Sequence, residues 1–229
     1  MSLTASSLLI LSTLRTSDVH AACSITGPAT SCDTAAPNPW NTPIGSGPAT
    51  PSGAVVTLTA NAQLIVGNAT AISLGDSATI TVQRGAVVQN ASTNSNGLYG
   101  TGGNTIEFRN NGNLTVEQGG QVVSAGSQGQ AEAVNPQGSG NTIVNNGLIR
   151  GINAAAIWFQ NTSGLNTVIN NPTGTIQAPG NVIGASGNGS VDFTNKGRVV
   201  GNLVFAGGND TLRLYTGSVI TGNFDGGGG

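Results

Sequence analysis

The side chains of this sequence that could do chemistry are a scattered set of carboxylates: Asp33, Asp76, Glu107, Glu117, Glu132, Asp192, Asp210 and Asp225. Two carboxyl groups that face each other across a sugar chain can act as the acid and the base of glycoside hydrolysis. The spacing of these residues does not indicate which two would meet, and solvated surface carboxylates are far more common than catalytic ones. The sequence therefore contains acidic groups without predicting a catalytic pair.

Residues 1–21 have the features of a secretion signal. An apolar run, Leu8-Leu9-Ile10-Leu11, lies upstream of Val19-His20-Ala21-Ala22, which has small side chains where a signal peptidase needs them. We expect cleavage after Ala21 and export from the cell. No Lys or Arg precedes Arg15, so either the signal is weak or the true start lies upstream. No other apolar run approaches the roughly 20 residues of a membrane span.

The only histidine, His20, lies inside this segment, so the mature chain would contain no imidazole. Ser-His-Asp and Cys-His catalysis both need an imidazole base, and zinc and iron sites would lose their usual ligand. Lys196 is the only lysine, and neither a Walker-type motif nor a dinucleotide-binding glycine motif occurs. We therefore expect no enzymatic activity and no cofactor.

Two cysteines, Cys23 and Cys32, follow the expected cleavage site and are separated by eight residues. Export into an oxidising compartment favours a disulfide between them. In the alternative, lipidation of Cys23, a bulky apolar residue would be needed where His20 stands. Two thiols without a nearby histidine are too few for a metal site. We expect a small loop closed by a Cys23–Cys32 disulfide.

The composition favours a repetitive β structure over a compact enzyme. Charged residues make up 7%, aromatic residues 4%, and there are 36 glycines and 26 asparagines, whereas roughly a quarter of an ordinary globular chain is charged. The net charge is −2, and seven Lys and Arg are spread over the whole length, so we expect no nucleic-acid binding. A hydrophobic share of 37% is more than a disordered chain carries.

The chain divides near residue 54. Residues 22–53 are rich in Pro, Thr, Ser and Gly, which oppose regular strand pairing, so we expect an irregular lead-in whose Trp40 covers the exposed end of the following domain. From residue 54 onward, short runs alternate Val, Ile or Leu with Thr, Ser or Asn, and Gly or Asn separates them. No stretch has a helical pattern, and the fold class is all-β.

One pattern recurs in the second half of the chain. Its openings are Asn104-Thr105-Ile106, Asn141-Thr142-Ile143, Asn166-Thr167-Val168 and a degenerate copy at Val191, at intervals of about 24 to 37 residues. Such recurrence predicts a solenoid, each full circuit of which is here called a rung. We expect residues 54–229 to form a right-handed parallel β-helix of seven or eight rungs.

Two details of this solenoid can be predicted. Ile106, Ile143, Val168 and Val191 should be its equivalent core positions. Asn and Gly should form the corners, because both accept the left-handed backbone at little cost, and Asn amides can stack from rung to rung as a ladder.

The C-terminal third contains two related segments, VFAGGNDTLRL at 204–214 and TGSVITGNFDGG at 216–227. They resemble the passenger-associated repeat of bacterial autotransporters (type V secretion), and the Asn-rich rungs before them resemble passenger β-helix rungs. The resemblance implies export to the periplasm, passage through the outer membrane by the protein's own C-terminal β-barrel, and display at the cell surface, often for adhesion to a host-cell or matrix ligand. No barrel occurs in these residues, so we expect a fragment whose full-length form continues beyond Gly229.

The main expectation is a surface-displayed, non-catalytic passenger, adhesin-like or a structural stalk. In one alternative, an RTX-like calcium-binding solenoid, GGNDTL at 207–212 would be a calcium-binding nonapeptide. Calcium requires tandem ligands, whereas Asp210 and Asp225 lack a second such motif between them. The other alternative, a polysaccharide-acting β-helix enzyme, requires carboxylates or arginines clustered on one face, and its candidates are Arg109, Arg150 and Asp192.

Overall fold

The computed structural model of the protein describes residues 23–94, 99, 103–128 and 130–228. Within these residues the chain forms β-strands, a 3-10 turn at Gly47–Ala49 and no α-helix. The strands are β1 (Cys23–Thr26), β2 (Ala29–Cys32), β3 (Val55–Leu58), β4 (Gln63–Ile65), β5 (Ile72–Ser73), β6 (Thr79–Val82), β7 (Val87–Asn90), β8 (Ile106–Phe108), β9 (Asn113–Val116), β10 (Gln121–Ser124), β11 (Val134–Pro136), β12 (Thr142–Asn145), β13 (Leu148–Gly151), β14 (Ile157–Phe159), β15 (Leu165–Asn170), β16 (Thr175–Ala185), β17 (Ser190–Asn195), β18 (Arg198–Val204), β19 (Thr211–Leu214), β20 (Val219–Thr221) and β21 (Phe224–Asp225).

From β3 onward, the strands pair in parallel with strands one rung before and one rung after, and the chain winds into a β-solenoid of about eight rungs. The first face stacks β3, β6, β9, β12, β15, β17 and β19. The second face stacks β4, β7, β10 and β13, and the third stacks β5, β8, β11 and β14. The long strands β16 and β18 continue both the second and the third face. The predicted all-β parallel solenoid and its number of rungs are confirmed.

The core is a stack of inward side chains, because alternate residues of each short strand face the interior. On the first face, Leu114, Ile143, Val168 and Phe193 are in register from β9 to β17. All four are fully buried. Neighbouring rungs thus cover each other's apolar surface, which is the main stabilising contribution in such a fold.

The predicted equivalence of Ile106, Ile143, Val168 and Val191 is wrong in part. All four side chains are fully buried, but only Ile143 and Val168 are in register. Ile106 lies on the third face, aligned with β5 and β11, and Val191 is aligned with Asn166. The tripeptide Asn-Thr-Ile therefore occurs on two different faces, and its repetition does not mark a constant position in the rung.

The predicted amide ladder is present where the first face ends. Asn145 Nδ2 donates to Asn170 Oδ1 at 2.9 Å, and Asn170 Nδ2 donates to Asn195 Oδ1 at 2.8 Å. All three side chains are fully buried. Asn145 Oδ1 also accepts the backbone N–H of Gly147 at 3.2 Å, which fixes the corner. The ladder satisfies buried polar groups that the sharp bends would otherwise leave unpaired.

The N-terminal end is covered by a hairpin. Strands β1 and β2 pair antiparallel, Cys23 and Cys32 form a disulfide across the pair, and β2 continues the first face by pairing in parallel with β3. The expected disulfide is thus present, whereas the expectation that prolines prevent strand pairing is wrong for this segment. Its proline, Pro28, lies in the connection between the two strands, where no ladder hydrogen bond is lost.

Further along the lead-in, single residues pair with the first rung. Trp40 forms a parallel bridge with Leu64, and Ile44 forms one with Ile72. The Trp40 ring is partly buried against the core, which agrees with its expected covering role. The predicted signal, residues 1–21, lies outside the described residues.

Candidate functional site on the third face

On the third face, the outward-facing side chains of three successive strands form a polar column. In β8 the side chains of Ile106 and Phe108 enter the core, so Glu107 between them points away from it. Ser73, Glu107 and Asn135 are in register on three successive rungs. Glu107 and Asn135 are nevertheless fully buried, and Ser73 is nearly so. Other parts of the chain therefore cover this stretch of the outer face.

Both carboxylate oxygens of Glu107 accept hydrogen bonds from the protein. Ser73 Oγ donates to Oε1, and Asn104 Nδ2 donates to Oε2 at 3.1 Å. Tyr99 also belongs to the cover, since its hydroxyl donates to the backbone carbonyl of Leu74. Burial and the nearby charge of Glu107 raise the pKa of Tyr99. The contacts of Glu107 suit a structural carboxylate that joins its own rung to the preceding one.

Glu132 belongs to the same network and is 5% exposed. Its backbone N–H donates to Asn104 Oδ1 at 3.2 Å, so Asn104 joins Glu132 to Glu107. Asn135 Nδ2 lies 3.5 Å from Glu132 Oε2. Burial, reinforced by the charge of Glu107, raises the pKa of Glu132 to about 7. A carboxyl group that titrates near neutrality has the property of a general acid, but this one is enclosed by protein.

The sequence does not indicate that Glu107 and Glu132 lie close together. Glu107 and Glu132 are 25 residues apart in the chain, and only the rung register shows that Asn135 aligns with Glu107. Once that register is known, Glu132 must lie close to Asn104 on the neighbouring rung. The structure therefore brings together two carboxylates among the eight that the sequence left unassigned.

The three residues considered for a polysaccharide-acting enzyme do not meet. Arg109 follows β8 on the third face, Arg150 lies in β13 on the second face, and Asp192 lies in β17 on the first face. Arg109 Nε is 4.0 Å from Asp76 Oδ1 in a half-exposed ion pair, and Asp192 pairs with Arg213. Arg109 and Asp192 thus form local surface pairs, which contribute little to stability, and the three residues lie on three different faces.

The two aspartates considered for calcium binding hold local structure. Asp210 Oδ1 accepts the backbone N–H of Val191 at 2.7 Å, and burial raises the pKa of Asp210. Its Oδ2 is buried without a hydrogen-bond partner in the described part of the chain. Asp225 Oδ1 accepts the N–H of Gly227 at 3.0 Å. Calcium takes six to eight oxygen ligands, and no cluster of three His, Cys, Asp or Glu residues suited to a metal occurs among the described residues.

Comparisons of the chain with protein-family models, with curated proteins and with solved structures find no match. Across the ranges described above, no helix is long and apolar enough to span a membrane. A functional proposal therefore depends on the solenoid, its surface chemistry and the resemblance of its repeats.

Proposed function

We propose that this chain is the non-catalytic, surface-displayed passenger of a bacterial autotransporter, acting as an adhesin or as a structural stalk. The observation that carries the proposal is the stacking of the two passenger-like segments. Val204, the first residue of one segment, is in register with Asp225 of the other segment one rung later, and the backbone N–H of Phe205 donates to Asp225 O at 3.0 Å. The two segments that resemble the passenger repeat thus lie in the last two described rungs of one solenoid and pair with each other.

The construction of the solenoid suits export in an extended form. Each rung pairs only with its neighbours, so a chain that emerges from a pore can add one rung at a time onto those already folded. The disulfide joins residues only nine positions apart. It therefore does not tie distant rungs together before translocation. In this proposal the disulfide between Cys23 and Cys32 forms in the oxidising periplasm. The protein's own C-terminal β-barrel then carries the passenger across the outer membrane.

The buried glutamates support a non-catalytic role. A glycosidase needs its two carboxyl groups on either side of a bound sugar. Glu107 instead has hydrogen-bond donors on both oxygens, and Glu132 is enclosed next to it. The raised pKa of Glu132 is the observation that favours a polysaccharide-acting enzyme as the second candidate. Incubation of the purified protein with neutral and acidic polysaccharides, followed by reducing-end analysis, separates the two functions, because only an enzyme produces new reducing ends.

Surface display is tested with antibodies raised against residues 23–228. Cells that carry the gene are labelled intact and after permeabilisation, with an antibody to a cytoplasmic protein as the control. The proposal expects labelling of intact cells and its loss after external protease treatment. Labelling that requires permeabilisation would show that the protein is not displayed at the cell surface and would rule the proposal out.

A further inference from the structure

An aromatic ring lies on the outer surface of the third face, one rung beyond the buried glutamates. In β14 the side chains of Ile157 and Phe159 enter the core, so Trp158 between them, like Gln160 beyond them, points outward and is partly exposed. Trp158 is in register with Gly184 of the next rung. A Cβ atom at position 184 would overlap the Trp158 ring. The indole therefore lies across the glycine and is supported by it.

Gln160, which follows Trp158 on the same outward side of the chain, lines a polar groove of about 280 Å³. It crosses three successive rungs at the ends of β8, β11 and β14 and is lined by Arg109, Asn110, Gln137, Gly138, Ser139, Gln160, Asn161, Thr162 and Ser163. Adjacent parallel strands are about 4.8 Å apart, so three rungs extend over about 10 Å. That length accommodates two linked pyranose rings.

Several polar groups of the groove are available to a ligand. Among the described residues, the Gln160 amide and the hydroxyls of Ser139, Thr162 and Ser163 make no hydrogen bond. Gln137 Nε2 donates to Asn135 Oδ1, which orients the Gln137 amide. The single cation of the lining, Arg109, is balanced by Asp76 at 4.0 Å. The groove thus offers neutral donors and acceptors.

We propose that this groove, together with the Trp158 ring, binds a neutral glycan. An indole is an apolar platform with a polar edge and suits the C–H face of a pyranose, while side-chain amides and hydroxyls suit the sugar hydroxyls. A nucleic acid would need unbalanced basic side chains. A peptide that binds by strand addition would need an open sheet edge, and the groove lies on a face. This inference rests on the proposed function in one respect: it treats the groove as a binding site and not as a catalytic one.

The test is affinity gel electrophoresis of the purified protein in gels that contain galactomannan, hydroxyethyl cellulose, dextran or, as the charged comparison, polygalacturonate. We expect at least one neutral polysaccharide to retard the protein. Trp158→Ala should weaken binding by about tenfold or more, since an aromatic anchor that the ligand covers dominates such contacts. Gln160→Ala should weaken it by about threefold to tenfold. Trp40→Phe, which changes the protein's other tryptophan, is the matched control and should bind normally.

Each outcome decides the inference. Circular dichroism of every variant shows whether it is folded, and the exposed Thr162→Ala provides a second groove variant if Trp158→Ala is not. Retardation by polygalacturonate alone, by none of the polysaccharides, or by a folded Trp158→Ala protein as strong as wild type would each overturn it. A failure here leaves the antibody labelling of intact cells unaffected, and intracellular labelling would leave glycan binding by the purified protein unaffected.

Discussion

Glu132 is a carboxyl group whose titration should be visible in the stability of the molecule. Burial raises its pKa from 4.5 to about 7, so the folded state binds this proton more tightly than the unfolded chain does. The contribution of Glu132 to the free energy of unfolding is therefore full below about pH 4.5, falls as the pH rises to about 7, and is constant above that. The difference is about 3 kcal/mol.

The substitution Glu132→Gln should remove this dependence, because an amide keeps the shape and does not ionise. Urea unfolding should show the variant more stable than wild type at about pH 8, with the advantage shrinking towards about pH 5. Glu117→Gln, at a partly exposed carboxylate of the same rung, is the control and should follow the wild-type profile. A Glu132→Gln protein with the wild-type pH profile would show that Glu132 does not control it.

At the scale of single residues, sequence alternation predicts which side chains face inward, and it predicts the core residues correctly. It cannot predict the burial of Glu107. The pattern of β8 places this carboxylate outward, where it would be solvated, and residues elsewhere in the rungs, Asn104 and Ser73 among them, enclose it. Trp158 has the same pattern and remains partly exposed. The difference depends on long-range cover, which local sequence does not contain.

Among the structural elements, the amide ladder should be the most sensitive to a single substitution. Asn170→Ala removes two buried side-chain hydrogen bonds, one with Asn145 and one with Asn195, and a third from Asn170 Nδ2 to the Arg198 carbonyl. It also leaves a cavity at the corner. We expect a loss of about 2 to 4 kcal/mol in the free energy of unfolding, measured by urea denaturation. Asn188→Ala, at an exposed asparagine, should change it by less than about 0.5 kcal/mol. Equal effects of the two substitutions would contradict the ladder's structural role.

The disulfide hairpin should be separable from the rest of the solenoid. Its cross-link lies within one antiparallel pair, and the loop-closure estimate for so short a loop is about 2 to 3 kcal/mol. Reduction should loosen β1 and β2, while the rungs keep their neighbours. We expect the far-UV circular dichroism of the reduced protein, and of the double variant Cys23→Ala with Cys32→Ala, to retain its β signal. Loss of that signal on reduction would show that the hairpin is required for the whole fold.

Strand positions were easier to predict than strand partners. Alternating apolar residues mark most strands, because each needs one inward face. Partners depend on the length of every rung, and that length varies: Leu114 aligns with Ile143, whereas Ile143 aligns with Val168 over a shorter interval. The recurrence of Asn-Thr-Ile therefore suggested a register that the structure does not have at Ile106. The sequence repeat predicts the order of the strands along the solenoid, but which residues align between rungs is known only from the structure.

The whole molecule is a linear array of rungs, and the recurrence of the sequence pattern predicts this architecture. It did not predict the hairpin cap, because a high proline content describes residues 22–53 on average and not the proline-free strands β1 and β2 within it. Since each rung contacts only its neighbours, the stability of the array should be close to a sum of rung and interface contributions. A change that preserves the register should therefore be tolerated even when it is large.

Deletion of residues 146–170 removes one full rung and joins Asn145 to Asn171. The two ends are compatible, because the backbone N–H of Asn171 donates to Asn145 O as that of Asn146 donates to Val116 O one rung earlier. After the deletion, Asn171 can donate to Val116 in place of Asn146, and β16 can pair with β10 in place of β13. We expect a shorter solenoid with a β-type circular dichroism spectrum and a cooperative thermal transition at a lower temperature.

The matched control is deletion of residues 146–158, about half a rung, which joins Asn145 to Phe159. This junction removes β13 from the second face and most of β14 from the third, so β16 loses its partners on the preceding rung and the core stack is interrupted. We expect this shorter deletion to abolish the cooperative transition, although it removes fewer residues than the full-rung deletion. If the two deletions proved equally destructive, the rungs would not be interchangeable units and the nearest-neighbour account of this solenoid would fail.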